Sequence, residues 1–193
     1  MKVELITITP DCEAVIEEAG RLCYKSKFRD PTIIRRWIKS GHLSLLEHAS
    51  ITFKISGVSR SLTHQLVRHR TGKFSQKSQR YVEEGDFQYV IPDSIRYTKG
   101  ALDQYEETMG EIQNCYLRLI ALGIKKEDCR FILPNACCTE IICTFDFRNL
   151  RGFLELRLSK HAQWEIRQMA MLMLAAVGGH APNCFYDMEV SDN

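Results

Sequence analysis

Arg68-His69-Arg70 and, seven residues further on, Ser78-Gln79-Arg80 place three arginines, a histidine and a serine within thirteen residues. An arginine presents a planar fork of donors that matches phosphate and carboxylate oxygens, and a loop serine with its neighbouring backbone N–H groups adds donors to the same anion. The surroundings strengthen the point. From His48 to Val82 the chain has no Asp or Glu, yet it holds Lys54, Arg60, Arg68, Arg70, Lys73, Lys77 and Arg80. The formal charge of the whole chain is +2, so this segment carries +7 and the remainder −5. So dense a cluster repels itself unless an anion neutralises it, and the chemistry it suggests first is the binding of a polyanion.

The elements that must position these residues are legible from periodicity. Residues 2–9 read as an opening strand, and Glu13–Cys23 as a helix. Asp30-Pro31 supplies an N-cap and a first-turn proline for a helix with Ile33, Ile34, Trp37 and Ile38 as its buried stripe and Gly41 as its stop. Ala49–Ser56 alternates Ile51, Phe53 and Ile55 with Thr52 and Lys54, the period of a half-buried strand, and Gly57 is expected to break it. Ser59–Arg70 reads as a helix ended by Gly72, with Gln65, Arg68 and His69 as neighbours on its surface. An irregular loop to Arg80 follows, then a short strand Phe87–Ile91 before Pro92.

Leu102, Tyr105, Met109, Ile112, Tyr116 and Leu119 recur at intervals of three and four, the pattern of a long amphipathic helix ending at Gly123. A short helix near Lys126–Leu133, a strand Thr139–Phe145, and helices Phe147–Arg157 and His161–Val177 complete the chain. Met109, Met169, Met171 and Met173 are expected in helix cores. Strands and helices are interspersed, so the expected class is α+β (mixed α/β), and the length favours a single domain over 1–193.

Composition is that of an ordinary soluble protein, and the longest apolar run, Met169 to Val177, is too short for a bilayer. Glu4 interrupts any signal-like start, so a cytoplasmic location is expected. The eight cysteines form no Cys-x-x-Cys pair, which favours buried thiols over a structural metal.

The spacing Arg-His-Arg, seven residues, Ser-x-Arg resembles the signature of the flavin-dependent thymidylate synthases. Gly41-His42, Glu47-His48, Leu133-Pro134-Asn135-Ala136 and His161-Ala162-Gln163-Trp164-Glu165-Ile166-Arg167 resemble further blocks of that family in the same order. The resemblance implies reductive methylation of dUMP to dTMP, with FAD as cofactor, 5,10-methylenetetrahydrofolate as one-carbon donor and NADPH as reductant. It also implies a central, mostly antiparallel sheet flanked by helices, in a homotetramer whose sites are shared between subunits.

Carried over residue by residue, the resemblance assigns dUMP binding to Gln65, Arg68, Gln76, Lys77, Ser78, Gln79, Arg80, Arg130 and Arg157, with Arg157 as the catalytic residue. It assigns the flavin to Ser44, Arg68, His69, Arg70, Gln76, Asp146 and Arg148, and it implies no metal. No cysteine is needed as nucleophile, and none of the eight lies in the signature. Two positions depart from the family pattern. Asp146 stands where many relatives place an Asn near the flavin, and Gly152 where they often have a His or Asn. Two other readings use the same basic segment: a nucleotide-binding relative with impaired flavin turnover, and a nucleic-acid-binding module. Against the latter, only Phe74 and Tyr81 offer stacking surfaces near the loop.

Overall fold

The computed structural model describes residues 1–25, 30 and 32–189. The chain is mixed α/β, with one four-stranded antiparallel sheet of β1 (Lys2–Ile8), β2 (Ser50–Ser59), β3 (Lys73–Gln76) and β4 (Cys138–Asp146) in the order β1-β2-β4-β3. It divides into two compact units. The first comprises 1–55, 65–75 and 142–193, the second 56–64 and 76–141.

In the first unit, Ile51, Phe53 and Ile55 of β2 are fully buried, as the alternation requires, and β4 buries Cys143 and Phe145 in the same way. Thr52 and Thr144 pair across these strands through their hydroxyls at 2.9 Å. Helix α1 (Cys12–Tyr24) buries Ile16, and α2 (Ile33–Lys39) buries Ile34, Trp37 and Ile38. The helix boundary differs from expectation, because Thr32 precedes it and the Asp30 carboxylate accepts from the Thr32 backbone and hydroxyl. Pro31 lies outside the described residues. Gly41 has φ 78°, a left-handed turn that glycine enters without strain.

Two helices frame the chemistry of this unit. Helix α7 (Phe147–Arg157) begins where Asp146 caps it, its Oδ1 accepting from the Asn149 N–H at 2.8 Å. It buries Phe147, Leu150, Phe153 and Leu154 along one side, each worth about 1.5–3 kcal/mol of apolar transfer. Helix α8 (Trp164–Gly178) starts three residues later than His161 because the Gln163 side chain caps the N–H groups of Glu165 and Ile166. Its buried stripe is Ile166, Met169, Ala170, Met173 and Val177. Met171 is 37% exposed, so the expected methionine core excludes it.

The second unit is organised by the 21-residue helix α5 (Ala101–Ala121), bounded by Gly100 and Gly123, both at positive φ. Its buried residues are Met109 and Tyr116, and Tyr105 and Ile112 pack partly buried against the Phe87, Met109 and Cys137 cluster. Phe87–Ile91 is not a strand but a single antiparallel bridge, Tyr89 to Cys137. Side chains of α5 account for this. The Tyr105 hydroxyl and the Gln113 amide donate to the Val90 and Phe87 carbonyls, groups that a neighbouring strand would otherwise claim. Helix α4 (Asp93–Arg96), α6 (Lys126–Cys129) and a 3₁₀ turn Arg130–Ile132 complete this unit.

The motif region departs most from expectation. Gly57 does not end β2, which continues to Ser59 through a left-handed glycine at φ 64°. Helix α3 (Arg60–Leu66) stops four residues short of Arg70. Consecutive tight turns follow: Arg68 N–H donates to Gln65, His69 N–H to Leu66 and Gly72 N–H to His69. Gln65, Arg68 and His69 therefore do not share a helical face. Gly72 serves close packing, since a Cβ there would meet Phe74 at 2.5 Å and Phe145 at 2.7 Å. The expected loop also contains β3. Among the described residues no helix is long and apolar enough to cross a membrane.

Candidate active site

The first half of the motif lies in the first unit. Arg68 and Arg70 are exposed, and their guanidinium groups have no side-chain or backbone partner among the described residues. His69 is half-buried, its ring edge-on to Phe153 of α7 with centroids 4.8 Å apart. Arg157, in the last turn of α7, donates its Nε–H to His69 Nε2 at 3.0 Å. This makes the imidazole an acceptor at Nε2, which requires the neutral ring. Burial first and the Arg157 charge second push the His69 pKa below its ordinary value. Burial likewise lowers that of Arg157, which has no carboxylate partner among the described residues. A half-buried guanidinium anchored through Nε to an uncharged ring keeps its full charge and its two terminal nitrogens for something else.

The other residues expected near a flavin are held differently. Arg148 forms an ion pair through Nη1 with Glu47, in the 3₁₀ turn Leu43–His48 that also carries exposed Ser44. Both Asp146 carboxylate oxygens accept from Asn149, one from its backbone and one from its side-chain amide. The departure at this position is thus used as a helix cap. At Gly152 a Cβ would meet nothing within 4 Å, so the missing side chain leaves open space.

The second half of the motif, in the second unit, is paired with acids. The Lys77 ammonium lies 2.9 and 3.1 Å from the two oxygens of Glu84, with hydrogen-bond geometry only to Oε2. Glu84 is 4% exposed, and its backbone N–H donates to the Tyr116 hydroxyl. Arg80 donates from Nε to Glu127 Oε2 at 2.7 Å, and Arg130 from Nε to the Glu127 carbonyl at 3.1 Å. Gln76 donates to the hydroxyls of Thr63 and Thr139, and buried Gln79 to the Cys137 sulfur. The half-buried Ser78 hydroxyl accepts from Arg80 N–H, and its carbonyl accepts from Tyr81 and Val82, which winds the loop around it.

The idea that the basic segment is neutralised only by a ligand therefore needs correction. Glu84 and Glu127 neutralise Lys77 and Arg80, while Arg68, Arg70 and Arg157 lack carboxylate partners among the described residues. Sequence reasoning missed both acids, together with Thr63, Thr139 and Tyr116. No local signal marks Glu127, which is 47 residues from Arg80.

All eight cysteines are free thiols. Burial pushes Cys137 up to about 11 and Cys143 up to about 12, so these thiols are protonated and poor nucleophiles near neutrality. Two grooves lie away from the expected residues: one of about 460 Å³ along α5 beside Arg118 and Ile132, the other of about 480 Å³ at the start of α1.

A mixed α/β chain with two motif arginines unpaired among the described residues and an arginine seated on the motif histidine fits a class of proteins that bind anionic nucleotides. Comparison with known proteins narrows the class. Residues 4–183 match the family described as thymidylate synthase complementing protein, and the chain belongs to that family. It is similar to the flavin-dependent thymidylate synthase of Geobacter sulfurreducens, at 44% identity over 97% of this chain and 86% of the relative. The enzyme of the same name from Clostridium tetani is 39% identical over 96% of this chain and 85% of its own length. That from Mycobacteroides abscessus is 36% identical over 92% and 80%.

Proposed function

We propose that this chain is a flavin-dependent thymidylate synthase that converts dUMP to dTMP, with FAD as cofactor, 5,10-methylenetetrahydrofolate as one-carbon donor and NADPH as reductant. The observation that carries this reading is the Arg157–His69 contact. It joins an arginine from the end of α7 to the middle residue of the signature and leaves the arginine without an acid partner among the described residues.

The donor set suits the anions concerned. Arg68, His69 and Arg70, with Ser44, Gln76, Asp146 and Arg148, hold FAD. The two unpaired arginines suit a pyrophosphate, which accepts charge-assisted hydrogen bonds from guanidinium forks. Asp146 and Arg148 contribute from fixed positions, one in a helix cap and the other in an ion pair. Gln65, Arg68, Gln76, Lys77, Ser78, Gln79, Arg80 and Arg130 hold dUMP. Ser78 offers its hydroxyl to the phosphate, and Arg80 and Arg130 offer terminal N–H groups.

Arg157 binds the uracil and stabilises negative charge as it develops on the base, an electrostatic role suited to a partly desolvated cation. His69 keeps that cation oriented and, being neutral, adds no repulsion. Bound FAD supplies the hydride and one-carbon chemistry. The working unit is a cytoplasmic homotetramer whose sites are shared between subunits.

The deciding assay is dUMP-dependent oxidation of NADPH with added FAD, with and without methylenetetrahydrofolate, while dTMP is measured. Formation of dTMP that requires all the components is the expected result. NADPH oxidation without dTMP instead identifies a relative with an impaired methyl-transfer half. A protein that takes up no flavin returns the basic segment to the nucleic-acid reading, for which binding falls steeply with salt.

A further inference from the structure

Glu127 touches two arginines assigned to the nucleotide, and it does so with two different groups. Its carboxylate receives Arg80 Nε, and its backbone carbonyl receives Arg130 Nε. Neither contact uses a terminal nitrogen, and the Nη groups of both arginines have no protein partner among the described residues. The face of Arg80 is also fixed, its guanidinium carbon lying 5.3 Å from the centre of the Tyr81 ring. Glu127 is itself well seated. It belongs to the single turn of α6, where Asp128 and Cys129 N–H groups donate to the Lys125 carbonyl and the Cys129 side chain is fully buried.

We propose that Glu127 is a positioning residue for nucleotide binding: it fixes Arg80 and Arg130 through their Nε atoms so that both Nη forks face the ligand phosphate. This rests on the reading of Arg80 and Arg130 as dUMP ligands. The Glu127 carboxylate offsets the charge of Arg80, while Arg130, bonded to a backbone carbonyl, keeps its full charge to attract a phosphate. A bidentate grip on an anion requires two N–H groups of one guanidinium held in a common plane, and an unanchored arginine must lose more side-chain freedom to form it. His69 holds Arg157 by the same atom. Three arginines assigned to dUMP thus spend Nε on the protein and keep Nη1 and Nη2.

The test is dUMP affinity measured by calorimetry on the FAD-loaded protein. Glu127→Ala is expected to raise the Kd about two- to fivefold, the scale of an exposed ion pair lost. Glu127→Gln keeps an acceptor oxygen and is expected to recover most of that loss. In an Arg80→Ala background Glu127→Ala has no further effect if it acts through Arg80, because Arg130 is held by a backbone carbonyl that the substitution preserves. Unchanged or tighter binding by Glu127→Ala overturns the proposal and makes Glu127 a bystander or a competitor of the phosphate. An equal loss in the Arg80→Ala background also overturns it, since the effect is then general damage to the fold. Arg80→Ala separates the two levels. If it leaves dUMP affinity intact, the assignment of Arg80 to the nucleotide fails, whereas weakened binding with Glu127→Ala silent removes only the positioning role.

Discussion

The two halves of one signature hold their cations in different ways. In the first unit, Arg68 and Arg70 have no partner among the described residues, and Arg157 leans on a neutral imidazole. In the second, Lys77 is locked to buried Glu84 and Arg80 to Glu127. A half-buried cation without a counter-ion, as Arg157 is among the described residues, is an electrostatic cost to the fold that a bound anion relieves, so ligand and stability should be linked there. A cation already in an ion pair gains less from a ligand but holds its geometry without one. The contrast shows that charge count along a sequence does not identify ligand-binding charges. Only the folded chain separates the cations held by an acid from those without one among the described residues.

The strongest way to break this comparison is Arg157→Ala. Turnover to dTMP should fall by about 10²–10³, the scale of removing one preorganised donor at developing charge, while flavin absorbance persists. Activity close to that of the parent would remove Arg157 from the chemistry and leave its seat on His69 without a function.

Arg68→Ala should weaken both FAD and dUMP, by about tenfold or more for each charge-assisted hydrogen bond lost. Flavin fluorescence titration and dUMP calorimetry measure the two separately. If neither affinity moves, the unpaired arginines are merely solvated.

Lys77→Ala sharpens the contrast from the other side. It leaves the Glu84 carboxylate buried without its ammonium, so thermal unfolding should show a loss of about 2 kcal/mol, tempered by the partial exposure of Lys77. Unchanged stability with poorer dUMP binding would instead make Lys77 primarily a ligand residue.

The smallest effect concerns pH. The folded state holds His69 below its ordinary pKa, so the unfolded chain takes up this proton first as pH falls. The stabilisation is therefore complete above about pH 6.5 and is lost progressively as pH drops through and below that value. Protonation also removes the Nε2 acceptor from Arg157. Thermal midpoints measured between about pH 7.5 and pH 5 should fall more steeply in the parent than in His69→Gln. Parallel profiles would mean that His69 titrates alike in the folded and unfolded chains.

Much of the fold was legible in the sequence where a periodic apolar pattern had one partner surface to satisfy. Helix α7 runs over the residues its pattern indicates, β4 exceeds the expected strand by one residue at each end, and α5 starts one residue before Leu102 and stops two short of Gly123. The failures share a cause. Ser59–Arg70 has helical spacing, but the chain must turn to reach β3, and the turns at Arg68, His69 and Gly72 take over the backbone hydrogen bonds. Phe87–Ile91 has strand composition, yet α5 side chains occupy its carbonyls. Local propensity loses in both places to contacts made by residues remote in sequence.

The candidate site divides along the same line. Which residue types could bind an anion follows from the sequence: the arginines, the histidine and serine between them, and the excess of positive charge. Which of those charges stand open was decided by tertiary structure. Glu84 and Glu127 reach Lys77 and Arg80 only through the folded loop and α6, and Arg157 meets His69 across 88 residues of chain. Ion pairing falls off over a few ångströms of space, not of sequence, so no linear pattern could have sorted the paired cations from those without a partner among the described residues.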